Sequence, residues 1–172
     1  MNHPLHFTIG GEVNSRIKPP ASVIRDKACG GMQHIPLFHG KDRSRKTQLC
    51  KVDLLVLKLN EVKAIIEIEE SGFNPTKICG KYLTSALSTH YIHGEDTLSL
   101  SKEVLFVQVL DGSKVAKNYS SKPAQCELIE KQINKLAKNV GSSISRYRIL
   151  IVNGASDLVG IKKVVDLVDN FV

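Results

Sequence analysis

A chain of 172 residues falls within the roughly 100 to 200 residues of one compact domain. Its 42% hydrophobic and 24% charged residues exclude a disordered, collagenous or coiled-coil chain. No run approaches the roughly 18 consecutive apolar residues of a membrane span, and Met1 to Gly11 lacks a secretory layout, so a cytoplasmic protein with no membrane association is expected. Lys and Arg number 24 against 17 acids, a net charge of +7 with a pI near 9.3, which favours a polyanionic partner such as nucleic acid.

In the first forty residues Pro19-Pro20 breaks any element, Ala21 to Ala28 reads as a short helix, and Cys29-Gly30-Gly31 and Phe38-His39-Gly40 read as turns. Lys51 to Leu59 (KVDLLVLKL) reads as a strand ending in a reversal at Asn60-Glu61. Val62 to Glu70 (VKAIIEIEE) is its hairpin partner, with Ile66 and Ile68 on one face and Ile65, Glu67 and Glu69 on the other. Asn74-Pro75 opens a helix that the spacing of Ile78, Tyr82, Leu83, Ala86 and Leu87 carries to about Tyr91. After a polar loop at Gly94 to Lys102, Glu103 to Leu110 (EVLFVQVL) is apolar enough for a strand buried on both faces.

Pro123 to Val140 carries a helical stripe of Ile129, Ile133, Leu136 and Val140. Arg146 to Val152 is a further strand, and Leu158, Ile161, Val165, Val168 and Val172 mark a closing helix. The order strand, strand, helix, strand, helix, strand, helix predicts an α/β fold, a mixed β-sheet flanked by helices.

Asp53, Glu67 and Glu69 stand out because charged residues rarely sit inside apolar strands. Glu67 and Glu69 share a face, about 6.5 to 7 Å apart along the strand. If Asp53 lies opposite Glu67, their Cβ atoms approach to roughly 5 Å. That register calls for an odd-length turn centred on Asn60, with Leu59 opposite Glu61, and a one-residue slip would part the acids. Three converging carboxylates repel one another unless a divalent cation neutralises them. An all-oxygen set suits Mg²⁺, with Mn²⁺ as a substitute, and such ions serve phosphodiester hydrolysis. The alternative is that Glu67 and Glu69 line the solvent face of an edge hairpin, paired with Lys63 or Lys51.

An Asp at one strand, Glu67-Ile68-Glu69 in the adjoining strand, then a helix and a buried strand, resembles the core of the PD-(D/E)xK nuclease superfamily, which includes restriction endonucleases. The resemblance covers roughly residues 45 to 110. It implies a restriction-endonuclease-like fold as one domain over 1–172: an irregular or helical N-terminal segment at 1–44, a catalytic core at 45–110 and a C-terminal β-α extension at 111–172. It also implies a Mg²⁺-dependent endonuclease acting on double-stranded DNA, a type II restriction enzyme working as a homodimer, without a nucleotide cofactor. A non-catalytic nucleic-acid-binding module of the same fold is the alternative. By resemblance Asp53 and Glu67 are metal ligands, and Glu69 stands where most members carry Lys. Some active members have Glu there, and in other branches the lysine comes from the following helix, where Lys77 and Lys81 share a face; Lys81 is the expected surrogate.

Ahead of the first acid, Lys41 to Lys51 (KDRSRKTQLCK) holds Arg43, Arg45, Lys46 and Lys51 among its cations, a segment suited to backbone phosphates or simply solvated. Ile149 to Gly160 resembles a dinucleotide-binding turn, but only 12 residues follow Gly160; Asn153-Gly154 is a turn and Ser156 or Asp157 a helix cap. Six histidines are scattered along the chain; His90 and His93, at a helix end, have no partner at a zinc-like spacing and read as surface residues. Cys29, Cys50, Cys79 and Cys126 read as reduced, mostly packed thiols. Glu12 is an extra acid whose helix the flanking Gly10-Gly11 pair argues against. Gln108, buried by parity with Phe106 and Leu110, either supports the acids or caps a sheet edge.

Overall fold

A computed structural model describes residues 3–114, 121–138 and 141–172. It is a mixed α/β protein. Helix α1 (Pro4–Arg16) precedes β1 (Ala21–Arg25), β2 (Ile35–Phe38), β3 (Gln48–Val52), β4 (Leu54–Lys58) and β5 (Glu61–Glu69); then come α2 (Pro75–Ala86), β6 (His90–His93), β7 (Asp96–Asp111), α3 (Ser121–Ala137), β8 (Ile144–Val152) and α4 (Leu158–Asp169). The strands form one sheet in the order β1-β4-β5-β7-β6-β2-β3, with β8 added to β7. Antiparallel β1, β4 and β5 lead into a parallel set, β5, β7 and β8. Helices α2 and α3, the crossovers between the parallel strands, pack Ile78, Tyr82, Cys126 and Ile133 against Ile65 and Phe106 on one face. On the other, α1 and α4 pack Leu5, Ile9, Val13 and Val164 against Ile66, Ile68 and Val107. Strands β5 and β7 are thus covered on both sides, which is why they read as near-continuous apolar runs.

The elements near the acids differ from expectation in instructive ways. The single strand at 51–59 is two, broken at Asp53: β3 pairs with β2, whereas β4 pairs with β1 and β5. The predicted helix at 21–28 is instead strand β1, held by Val23 and Ile24 opposite Val56 and Leu55, since tertiary pairing outweighs local propensity. Helix α2 stops at Ala86 rather than Tyr91, and His90 to His93 form β6 instead of a helix end. The polar loop at 94–102 shrinks to a turn, because Leu98 and Leu100 alternate toward the core and extend β7 back to Asp96. In α4, Leu158 is exposed and Val164 takes its place in the core. Val140 lies outside the described residues.

The N-terminal helix forms despite Gly10-Gly11 because Gly10 is a contact residue. A Cβ there would lie 2.4 Å from the Cys29 carbonyl oxygen, so only glycine lets α1 settle on the 26–31 loop. Asn74 caps α2 by accepting the Lys77 N–H, with Pro75 in the first turn, and Asp157 caps α4 by accepting the Gly160 N–H, both as predicted. All four cysteines are free, with Cys79 exposed. Among the described residues no helix is long and apolar enough to cross a membrane.

Candidate active site

The β4–β5 hairpin brings the two key acids together by a different route from the expected turn. Leu59 and Asn60, at φ 54° and 60°, form a two-residue reversal with Lys58 opposite Glu61, the left-handed pair that a tight hairpin needs. That turn alone would put the register out by one. A bulge restores it: Leu57 pairs Val62 and Val56 pairs Ala64, so Lys63 is the extra residue, and Leu54 then faces Ile66. Carried one step further, the same register sets Asp53 opposite Glu67. Lys63 bonds to Glu61 and to Ser101 Oγ at 2.7 Å, away from the acids, and β5 is an inner strand. The edge-hairpin alternative therefore does not hold.

Asp53 sits where the chain passes from β3 to β4, so its side chain replaces a missing strand neighbour: Oδ2 accepts the Ile68 N–H at 2.7 Å. Its own carbonyl accepts the Asp26 N–H at 2.9 Å, tying it to the loop on which α1 rests. Glu67 is 2% exposed and within hydrogen-bonding reach of Asp53. Lys81, one turn and a half into α2, donates to Glu67 Oε2 at 2.6 Å. Burial first, then the Asp53 charge, raises the Glu67 pKa to about 8, and Lys81 offsets only part of this. Burial works against the ammonium of Lys81, yet Glu67 and Asp53 outweigh it and raise its pKa. The helix lysine expected as a surrogate thus meets the buried acid directly.

Glu69 is buried on the same face but turned away from the pair. Its carboxylate accepts from the Ser71 N–H at 2.9 Å and from the Ser71 hydroxyl, and it forms an ion pair with Lys77. Burial pushes its pKa up, while Lys77 and Ser71 outweigh that and hold it below the ordinary value. Among the described residues the three acids do not close into one ligand set; Asp53, Glu67 and Lys81 form the tight group, with Glu69 and Lys77 a second pair beside it.

Gln108 lies opposite Glu67 on β7. It is fully buried, its Oε1 accepts from the Tyr147 hydroxyl at 2.7 Å, and its Nε2 has no hydrogen-bond partner among the described residues. A buried amide without a partner is costly, and this one is a cross-strand neighbour of the acid. Gln108 therefore belongs beside the acids; it is not a sheet-edge cap.

The basic segment is split. Arg43, Arg45, Lys46 and Lys51 are all exposed, but the first three lie in the β2–β3 turn beyond Gln48, about 13 Å of strand from the Asp53 end. Lys51 alone is two residues from Asp53. Glu12 is exposed further along α1, in a groove with Arg16 and Lys162, and takes no part in the acid group.

Two residues enter that the sequence did not single out. His6 is 7% exposed. Its Nε2 is 3.6 Å from Asp53 Oδ2 and its Nδ1 is 3.0 Å from Oε1 of Glu70. Glu70 also accepts the His6 backbone N–H at 3.0 Å, so it caps the start of α1. Burial raises its pKa, and the hydrogen bonds from His6 outweigh this and lower it. The available signals were slight: Glu70 falls on the Ile66 and Ile68 face, and His3 and His6 stand one helical turn apart.

Comparison with protein-family models, curated proteins and solved structures gives no match to this chain. The functional reading accordingly rests on the geometry of the site.

Proposed function

We propose that this chain is a divalent-metal-dependent endonuclease of the restriction-endonuclease-like fold, hydrolysing phosphodiester bonds of double-stranded DNA as a homodimeric type II restriction enzyme. The observation that carries the reading is the Asp53–Glu67–Lys81 group. Two carboxylates meet at the end of an inner hairpin, and an ammonium from the next helix reaches the more buried of them at 2.6 Å. The order β3–β4 junction, β5, α2, β7 supplies acid, acid, lysine and buried support in the sequence that the resemblance to PD-(D/E)xK nucleases implies.

The donor set fits Mg²⁺ or Mn²⁺. Asp53 and Glu67 offer oxygen only, and the raised pKa of Glu67 reflects a like-charge contact in a dry setting that a hard cation relieves. When bound, such an ion stabilises charge at a phosphoryl group and makes water a better nucleophile at neutral pH. Asp53, anchored through the Ile68 N–H, and Glu67, anchored on β5, would hold it. Lys81 offsets part of the cost of ionising Glu67 and presents N–H donors where a phosphate oxygen or the proton in transit needs them. The net charge of +7 draws the polyanion in, with Arg43, Arg45 and Lys46 reaching backbone phosphates remote from the acids.

The test is incubation of the protein with plasmid and phage DNA in Mg²⁺, Mn²⁺ and chelator beside Glu67→Ala. Discrete metal-dependent fragments that vanish in the variant, with DNA binding in Ca²⁺ retained, are expected. Cleavage surviving in Glu67→Ala sinks the assignment. Salt-sensitive binding without cleavage in any metal shifts the reading to a non-catalytic nucleic-acid-binding module.

A further inference from the structure

A second constellation lies on the opposite face of β5. His3 and His6 stand at the start of α1, and Glu70 directly follows β5; their imidazole and carboxylate atoms converge as the three-residue ligand group found among the described residues. His6 Nδ1 is 3.0 Å and His3 Nδ1 is 3.9 Å from the nearer Glu70 oxygen. Two ligand atoms bound to one ion at about 2.1 Å with a tetrahedral angle stand roughly 3.4 Å apart, so these separations bracket a bound geometry.

Two further observations point to an ion. Position His3 is the N-cap of α1, yet its side chain makes no capping hydrogen bond; its ring stands edge-on to His6 at 5.1 Å and faces Glu70 without reaching hydrogen-bond distance. Independently, His6 directs its other nitrogen, Nε2, at Asp53 Oδ2, 3.6 Å away. A ligating histidine typically turns its second N–H to a carboxylate, which selects the tautomer and makes the ligating nitrogen more basic. With His3 side chain 36% exposed and the other two 9%, the group is closed on the protein side and open on one flank, leaving room for water as a fourth ligand.

We infer that His3, His6 and Glu70 form a binding site for a first-row transition ion of the Zn²⁺ class, with Asp53 as the carboxylate that orients His6. Two imidazoles and one carboxylate suit Zn²⁺ or Co²⁺ far better than Mg²⁺, which demands six oxygens. The site differs from the Asp53–Glu67 pair in donor chemistry and adjoins it through Asp53, and it does not depend on the nuclease reading. His6 links the two: metal on Nδ1 would leave the proton on Nε2, the nitrogen that faces Asp53 Oδ2 at 3.6 Å.

The experiment is titration of the untagged full-length chain with Co²⁺, read by visible ligand-field absorption, and with Zn²⁺, read by calorimetry. One ion per chain is expected, with the intense bands of four- or five-coordinate Co²⁺, retained in excess Mg²⁺ and in Glu67→Ala. Glu70→Gln should lose those bands. Because Glu70 also caps α1, the deciding variant is His3→Ala, at a half-exposed position whose side chain makes no capping hydrogen bond: affinity should fall by at least about tenfold while circular dichroism is unchanged. Asp53→Asn should weaken Co²⁺ about 10- to 100-fold without changing the stoichiometry. Wild-type binding limited to weak six-coordinate Co²⁺, binding unchanged in His3→Ala, or binding lost in Glu67→Ala would each overturn the site.

Discussion

Glu67 and Glu70 stand three residues apart at one end of β5, are 2% and 8% exposed, and are displaced in opposite directions: the pKa of Glu67 is raised and that of Glu70 lowered. Burial disfavours the charge of both. What differs is the company on each face of the sheet. Glu67 meets another acid, Asp53, and a single ammonium that cannot cancel both that charge and its own desolvation. Glu70 meets the start of α1, where backbone N–H groups and the His6 ring all donate to it, and anions are favoured at a helix N-terminus. The comparison shows that burial alone does not decide the state of a carboxylate; the donors that the tertiary fold delivers do. It also separates a face on which two carboxylates meet an ammonium from a face on which a carboxylate anchors the start of α1.

The largest expected effect comes from Lys81→Met. Glu67 then loses its one ammonium partner among the described residues, and cleavage should fall by about 10²- to 10⁴-fold, the range for a lost general acid or base. Cleavage rates measured in Mg²⁺ with DNA binding as the control decide it; an unchanged rate would show that Lys81 only balances charge. Gly10→Ala strikes the other side. With the added Cβ 2.4 Å from the Cys29 carbonyl, α1 must shift, and denaturant unfolding should show a loss of about 1–3 kcal/mol, accompanied by loss of His6 protection in NMR while the Lys81–Glu67 pair persists.

A pH series separates the two acids more finely. Between the ordinary carboxylate value and about 8, the folded state holds a proton on Glu67 that the unfolded state has released, so stability falls as pH rises through that window. Glu67→Gln should flatten that decline and gain of order 1 kcal/mol at pH 9, about 2–4 °C in Tm for a chain of this size. Glu70 has the opposite sign: its contribution is present above the ordinary carboxylate value and is lost as pH falls through its lowered folded pKa. Glu70→Gln should flatten the acid limb instead. Matching limbs in the two variants would contradict the division of roles. The smallest effect concerns the remote cations: replacing Arg43 and Arg45 together should reduce the slope of log binding constant against log salt by about 2, and an unchanged slope would leave that turn solvated.

The helices that carry strong caps and the strands buried on both faces were legible along the chain. Asn74-Pro75, the apolar run at 103–110 and Asp157 each announce themselves through local chemistry, and so did Asp53 and Glu67 as charges inside apolar strands. Even the pairing of those two acids was foreseen, although by way of a turn that does not exist: a left-handed two-residue turn and a bulge at Lys63 cancel to the same register. Strand β1 was hidden because its pairing with β4 is set by partners 29 to 37 residues away. Helix α1 was hidden because glycine at position 10 looks like a breaker until Cys29 is seen against it. The group of His3, His6 and Glu70 was hidden for the same reason, since it joins the first turn of the chain to the end of its fifth strand.

What the sequence determined by itself is therefore the residue chemistry and the local grammar: which acids are out of place, where helices start, which strands are covered twice. Only the tertiary structure decided which charges meet. Lys81 reaches Glu67 because the β5–α2 connection returns the helix over the face that bears the acid, and His6 reaches Glu70 and Asp53 because α1 docks on the other. Periodicity along a chain reports the face a residue occupies; the neighbour across that face depends on how distant elements pack, and it is the neighbour that sets charge state, ligand geometry and function.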